Sequence, residues 1–501
     1  MTSHSRYRGD SLDPLESLSD LENNSVTDPQ TTDSAVGPSS SSQDAGKDPK
    51  PLVDTSSTGS ADAKKPLELT KSTTKTTPAN MWGILRTALT VYVSLFLILI
   101  TVLSIYWGSF YHRESRLSNQ KTLLVDLDSP IRVNGTEIPG IGRDFVDFVT
   151  TDSWAQARCG FTIVNSSYFN AGENITARVA QMVRHQKYWG AVVIGPNVTA
   201  GLYEAIQSQN ASAATLIPYF INWYYLKSRH LSTFSTTYRY SLEVLETLWV
   251  NNGSFNTQST ILQSLSASEQ VSLLRNNETV PLMTLKPTIN EVDLGASSDI
   301  SVLGPSQLGL VYAQLFTVYQ FMFFQTIYKV VREKISTRSY LFFRWAASNF
   351  NALFLSLVYC LATLAFQISV TDTFGHSGFL VLWMILYMFI LTNGFISDTV
   401  ISLVMAYEKP YLVAPCTILN VVVNLATTFS PFELMPRSYR IGYALPMYNT
   451  YQLMRVVFFD SWKGTMGVNI GVMWIWIVVG TIVSSWVFVI VKRLDESKRP
   501  K

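Results

Sequence analysis

Six apolar stretches fix what this 501-residue chain can fold into: residues 81–108, 308–328, 345–370, 379–405, 411–429 and 470–491. A hydrocarbon core about 30 Å thick is crossed by about 20 helical residues. With no water to satisfy backbone amides there, only helices and closed barrels can span it. Runs of this length predict helices, and the chain reads as a polytopic α-helical membrane protein with six transmembrane helices. Composition agrees, since charged residues make up 15% of the chain against about 25% in a soluble protein. Trp82 and the pair Tyr106–Trp107 flank the first run as interface aromatics do. Pro415 lies in the fifth run, where a membrane helix tolerates it.

Glycan acceptor motifs orient the chain. Seven Asn-x-Ser/Thr sequons, at Asn134, Asn165, Asn174, Asn197, Asn210, Asn252 and Asn277, fall between the first and second runs. That stretch has fourteen asparagines, and the seven after Leu310 form no sequon. Chance would give about three in a polar segment of this length. Glycans are added on the lumenal side, so residues 109–307 are expected to form a large glycosylated extracellular domain.

Residues 1–80 are rich in Ser, Thr, Asp and Pro, from SSSSQDAGKDP to STTKTTPAN. They have too little apolar surface to offset ordering and read as a disordered cytoplasmic tail. The first apolar run begins too far into the chain for a cleaved signal peptide and reads as a signal anchor. Asn23, a sequon in that tail, is then expected to stay unmodified. Basic residues agree: Lys64, Lys65, Lys71, Lys75 and Arg86 lie on the tail side of the anchor, and Lys329, Arg332, Lys334, Arg338 and Arg344 join the second and third runs. The tail 492–501 carries five more. Both termini are therefore read as cytoplasmic. Segment 431–469 dissents, with Arg437, Arg440, Arg455 and Lys463 on the outer side. Its mixed character reads as a loop lying in the outer interface, and its prolines and tyrosines as an aromatic anchor or an outer gate of short helices.

The domain between the first two runs reads as α/β. LLVDLDSP (123–130) and AVVIGP (191–196) are apolar runs ended by turn residues, as buried strands are. GRDFVDFVTT and VTAGLYEAIQSQ follow them as helices, and TYRYSLEVLETLW (237–249) is a third helix. Cys159 is the domain's one cysteine, while Cys360 and Cys416 fall inside apolar runs and read as packing residues.

A search for chemistry returns little. The chain has no phosphate-cradling G-x-x-x-x-G-K-[ST] loop, no zinc-binding pair of cysteines and no G-x-S-x-G elbow, so no enzyme activity and no cofactor are expected. No basic patch interleaved with aromatics suggests nucleic acid. His112, His185 and His230 are scattered and read as surface residues. The polar residues inside the runs are more informative. Asn393 and Asp398 lie in the fourth run, and Asn420 and Asn424 lie one helical turn apart in the fifth. Polar groups at membrane depth are costly; most bond between helices, and some line a wet path. These four are the candidate transport path, and Asp398 is expected to pair with a basic rim residue, Lys409 or Arg332.

An anchor run leading into LLVDLDSP, the segment YWGAVVIGPNVTAGL (188–202), and FELMPRSYRIGYALPMYN (432–449) together resemble the fungal nitrosoguanidine-resistance protein family. The likeness covers residues 80–495 and extends distantly to the bacterial phage-infection-protein group and to membrane subunits of type-2 ABC exporters. It implies plasma-membrane residence and tolerance of toxic small molecules. Membrane lipids are the expected partners. An exporter lacking its own nucleotide loop would need a separate ATPase subunit, and a homo-oligomer is the other expected assembly. Two classes stand open: a transporter-like protein exporting xenobiotics or lipids, and a non-transporting organiser of membrane lipids or proteins.

Overall fold

A computed structural model describes residues 81–497 apart from 134, 210–220, 252–255, 276–288 and 296–299. The tail 1–80, the last four residues and the sequons Asn134, Asn210, Asn252 and Asn277 lie outside the described residues. The chain is mostly helical, with one sheet-containing region between the first helix and the rest.

Helix α1 (Met81–Gly108) is predominantly apolar, with Arg86 its one charged residue, and almost wholly exposed, touching the bundle mainly through α9, defined below. Its end is pinned: Tyr106 and Phe110 meet Phe429 edge-to-face, with ring centroids 5.8 and 6.4 Å apart. The Tyr439 hydroxyl donates to the Ile105 carbonyl.

Among the described residues seven strands follow: β1 (Lys121–Asp126), β2 (Ile131–Val133), β3 (Thr136–Ile138), β4 (Gly160–Asn165), β5 (Gly190–Ile194), β6 (Ile221–Tyr225) and β7 (Asn290–Asp293). Five of them form a sheet in the order β4-β1-β5-β6-β7, while β2 and β3 pair separately. β1 is parallel to both β4 and β5, β6 is antiparallel to β5, and β7 is parallel to β6. Helices α2 (Ile141–Thr151), α3 (Ile175–Arg184), α4 (Val198–Gln207) and α5 (Arg239–Asn251) cover the sheet. Leu124, Val192 and Ile194 face a core with Phe145, Trp189 and Trp249. Their neighbours Leu123, Val125, Ala191 and Val193 face a second core with Val179 and Val183. Two buried faces explain the unbroken apolar runs of β1 and β5. Asp128, beyond β1, accepts hydrogen bonds from the Thr199 amide (3.1 Å) and hydroxyl, so a carboxylate caps the N-terminal turn of α4.

The bundle is built from α6 (Gly309–Lys334), α7 (Thr337–Ala365), α8 (Gly378–Ala406), α9 (Val413–Ala426), α10 (Pro446–Phe459) and α11 (Met466–Ser497). α8 is the hub, packing against the other five. Among the described residues, four helices are long and apolar enough to cross a membrane: α1, α7, α8 and α11. This differs from the six expected in two places. Segment 308–328 does form α6, but Gln314, Gln320 and Gln325 and a basic end dilute its hydropathy. Segment 411–429 yields a helix of only 14 residues, about 21 Å. Pro415 lies in its first turn, where a missing N–H costs no intrahelical bond.

Segment 431–469 departs furthest from the expected interfacial loop. Its helix α10 is buried nearly all round, packed on α8, α9 and α11. Leu453, Met454, Val457 and Phe458 belong to the same core as Leu386 and Phe389 of α8. Apolar side chains on every face leave no stripe to lie on a surface, which is why the helix goes inside. Pro446 in its first turn starts it.

Candidate functional site

The helical bundle has two ends, because α11 begins beside the sheet region and finishes far from it. At its start, Trp462 stacks on His185 (5.5 Å). At its finish, Asp495 pairs with Arg332 of α6, and Lys492 Nζ donates to the Ile335 carbonyl at 2.7 Å. Each end holds a polar cavity.

The end away from the sheet has a cavity of about 860 Å³ whose walls include Tyr328, Lys329, Arg332, Arg344, Asp398 and Asp495. Arg344, in the second turn of α7, forms a buried ion pair with Asp398 of α8. Its guanidinium lies between the rings of Tyr328 and Phe488, 3.9 and 4.1 Å away, and donates to the Tyr340 hydroxyl at 2.9 Å. Asp398 also accepts from Ser402 Oγ at 3.2 Å through the same oxygen, while Oδ2 has no hydrogen-bond partner. Asp398 therefore pairs with neither Lys409 nor Arg332, and Arg332 is taken by Asp495. Sequence reading set Arg344 in the basic connection because the apolar run starts at Trp345. The aromatic run SYLFFRW around it was the signal that it enters the bundle.

Between the two ends α8 carries polar atoms that nothing satisfies. Thr392 Oγ1, Asn393 Oδ1 and Ser397 Oγ are buried without hydrogen-bond partners, as are both amide atoms of Gln314 on the adjoining α6. Asn393 Nδ2 donates back to Phe389 O at 3.0 Å. Buried groups left unpaired cost about 1–3 kcal/mol each, so a cluster of them needs a reason.

At the sheet end, residues after β6 enter the bundle. Arg229 donates to the carbonyls of Gln186 (2.9 Å) and Tyr188 (2.8 Å), pairs with Glu433 (2.9 Å) and stacks on Trp189 (4.6 Å). Arg455 Nε donates to Ser228 O at 2.9 Å. His230 is buried, which overturns the surface reading; His112 and His185 are exposed. Its Nδ1 accepts from the Thr233 amide (3.3 Å), so Nε2 carries the proton and donates to Thr428 O (3.2 Å). Burial, helped by the charge of Arg455, pushes its pKa down to about 3, which keeps the ring neutral. These residues and the aromatic residues of segment 443–462 enclose a cavity of about 250 Å³.

The four candidate path residues are therefore not brought to one point. Asp398 lines the large cavity and Asn393 lies buried farther along α8. Asn424 is near the sheet end, where its Nδ2 donates to Asn420 O (3.0 Å) and its Oδ1 accepts from the Met447 amide (3.3 Å). Asn420 and Asn424 thus do interhelical and local bonding. Three described sequon asparagines, Asn165, Asn174 and Asn197, are exposed, although Asn174 Oδ1 also caps α3 by accepting from Ala177 N at 3.0 Å. Cys159 and Cys360 are buried and Cys416 half-buried, all as free thiols. Among the described residues no cluster of His, Cys, Asp or Glu is placed to hold a metal.

Among the described residues, four membrane-length helices and a helical bundle tied to an α/β sheet through the Arg229–Glu433 pair and the buried His230 and Arg455 define a multi-helix membrane protein with a sheet-containing region. Comparison with known proteins is consistent with that class. The family described as protein of unknown function (DUF3533) matches residues 91–482, most of the chain, and the chain belongs to it. It is 28% identical over 393 residues, 75% of this chain and 74% of the relative, to the uncharacterized endoplasmic reticulum membrane protein YJR015W of Saccharomyces cerevisiae. No solved structure matches. The likeness to nitrosoguanidine-resistance proteins and ABC exporters is not among what these matches show.

Proposed function

We propose that this chain is a transporter-like membrane protein that moves amphipathic molecules, xenobiotics or lipids, between the two faces of a secretory-pathway membrane. The observation that carries the reading is the set of buried, unpartnered polar atoms at Gln314 on α6 and at Thr392, Asn393 and Ser397 on the adjoining α8, in a bundle that holds a cavity at each end. A bundle evolved for stability alone would fill such positions with apolar residues. Resistance to toxic small molecules such as nitrosoguanidine would follow from export. The chain has no nucleotide-phosphate loop, so an ABC-type mechanism requires a separate ATPase subunit, and a mild-detergent pull-down that yields one at equal stoichiometry supports it.

In this reading the bundle crosses six times. The 26 residues of α6 reach about 39 Å, and α9 with its flanking turns completes the fifth crossing. The sheet region lies on the lumenal or extracellular side with both termini cytoplasmic. The yeast relative's name favours the endoplasmic reticulum over the plasma membrane that the sequence likeness implied. One experiment addresses side and location together. Endoglycosidase H should lower the apparent mass by several glycans. A shift only with a glycosidase that removes complex glycans keeps the side and moves the protein beyond the endoplasmic reticulum. No shift with either contradicts the orientation.

Export itself is read as faster loss of a preloaded fluorescent amphiphile from cells that make the chain than from cells that do not. Equal rates contradict the proposal. The exposed apolar length of α1 gives the organiser reading its one specific support, as a face on which a partner helix could pack.

A further inference from the structure

We propose that the cavity at the junction of sheet and bundle binds a phosphate oxyanion, with Arg455 as its charged donor. The inference is independent of transport, since binding is read on the purified chain without flux.

Arg455 is 3% exposed and wholly enclosed by this seam. Its Nε is fixed by Ser228 O (2.9 Å) and its Nη1 by Gln452 Oε1 (2.5 Å), while Nη2 is buried with no partner. A planar fork held by two of its three nitrogens presents the third in a set direction. Two further donors on the same wall are also buried and unpartnered: Asn469 Nδ2 and Ser430 Oγ. None of the three is explained by the contacts that fold the protein.

Charge points the same way. Glu433 is the one carboxylate lining the cavity, and it is already paired with Arg229. His230 beside them contributes no charge, being a neutral donor to Thr428 O. Among the described residues no carboxylate is paired with Arg455, and a buried charge without a paired counterion is strongly destabilising. An oxyanion would supply both the missing charge and acceptors for three donors, and arginine matches phosphate geometry well.

Size and walls limit the ligand. At about 250 Å³ the cavity is smaller than the roughly 300–1,000 Å³ sites of drug-sized ligands, which suits a phosphate or a small headgroup. Tyr443, Tyr448 and Trp462 line it and offer apolar surface beside the donors, as a phosphate ester would use. A free phosphate and a lipid headgroup share this chemistry.

The test uses the purified full chain in a neutral detergent, titrated separately with inorganic phosphate and with short-chain phosphatidic acid, with phosphatidylcholine as the control. Thermal stability and binding are both read. The wild-type chain should be stabilised by at least one of the two anionic probes. Arg455→Gln should weaken that binding about tenfold or more, the worth of a charged hydrogen bond. Because Arg455→Gln also loses the Ser228 contact, Asn469→Asp serves as a second variant. It sets a negative charge on the cavity wall, away from the Arg455 anchors, and should abolish binding in a folded chain. Response to phosphate alone identifies the free ion, and response to phosphatidic acid alone identifies a lipid headgroup. No response to either, or equal responses in wild type and both variants, overturns the proposal and leaves Arg455 a purely structural tie.

Discussion

Replacing Arg344 by Met or Asp398 by Leu should each lower the stability of the bundle by about 3–5 kcal/mol, while making both changes together should recover most of that loss. The pair is 3% and 2% exposed, so each single change strands a buried charge. Stranding costs far more than the pair contributes, because two ions taken from water together nearly offset their own desolvation. The guanidinium's seat between Tyr328 and Phe488 adds packing that Met, of comparable length, partly retains. A double-mutant cycle measured by thermal unfolding in detergent checks this. Additive losses would mean that the two side chains do not act as a pair. The large cavity beside them gives a second readout, because Asp398 Oδ2 is unpartnered there. If that oxygen serves transport, the double variant should fold and still fail to export.

Acid should weaken the junction between sheet and bundle, and His230 should be the main cause. Its ordinary pKa is 6.5 and its folded value is about 3. The folded ring refuses a proton because it is buried and faces the charges of Arg455 and Arg113. Above about pH 6.5 both folded and unfolded chains keep it neutral, and its contribution is fully present. Between about 6.5 and 3 the unfolded chain binds a proton that the folded chain does not. Stability then falls by about 1.4 kcal/mol for each pH unit, several kcal/mol over the range. His230→Asn should be less stable at neutral pH, having lost the bonds to Thr233 and Thr428, but should show a flatter decline toward acid. Unfolding midpoints measured from pH 7 to pH 4 on both chains decide it. Parallel declines would assign the acid sensitivity elsewhere.

What could be read from the sequence follows from what each element must satisfy locally. β1 and β5 were legible because both faces of each are buried, so their apolar runs are unbroken. β4 and β6 were not, since one is half-exposed and the other mixes Asn222 with aromatics. The long apolar helices were legible by length alone. A short helix in segment 431–469 is legible only as one of two alternatives, and the burial of α10 on nearly every side is not, because in sequence it looks like a proline-flanked segment of mixed character. Asp398 stands out in sequence as a carboxylate inside an apolar run, but its partner does not. Pairing depends on how α7 packs on α8, which no spacing along the chain encodes. The junction cavity was illegible for the same reason. Its unpartnered donors come from positions 430, 455 and 469, and only the fold brings them together.

Transport along α8 is the central claim, and Gln314→Leu and Asn393→Leu test it most directly. Gln314→Leu removes two polar atoms that have no partner; Asn393→Leu removes an unpartnered oxygen and one local bond, to Phe389 O of its own helix, so neither should much reduce the amount or stability of the protein. The measurement is the rate at which a preloaded fluorescent amphiphile leaves cells making equal amounts of wild-type or variant chain. A path lined by these residues predicts that both variants fold normally and slow the loss to the rate of cells without the chain. Wild-type rates in both variants would contradict it and leave the buried amides without a role in transport.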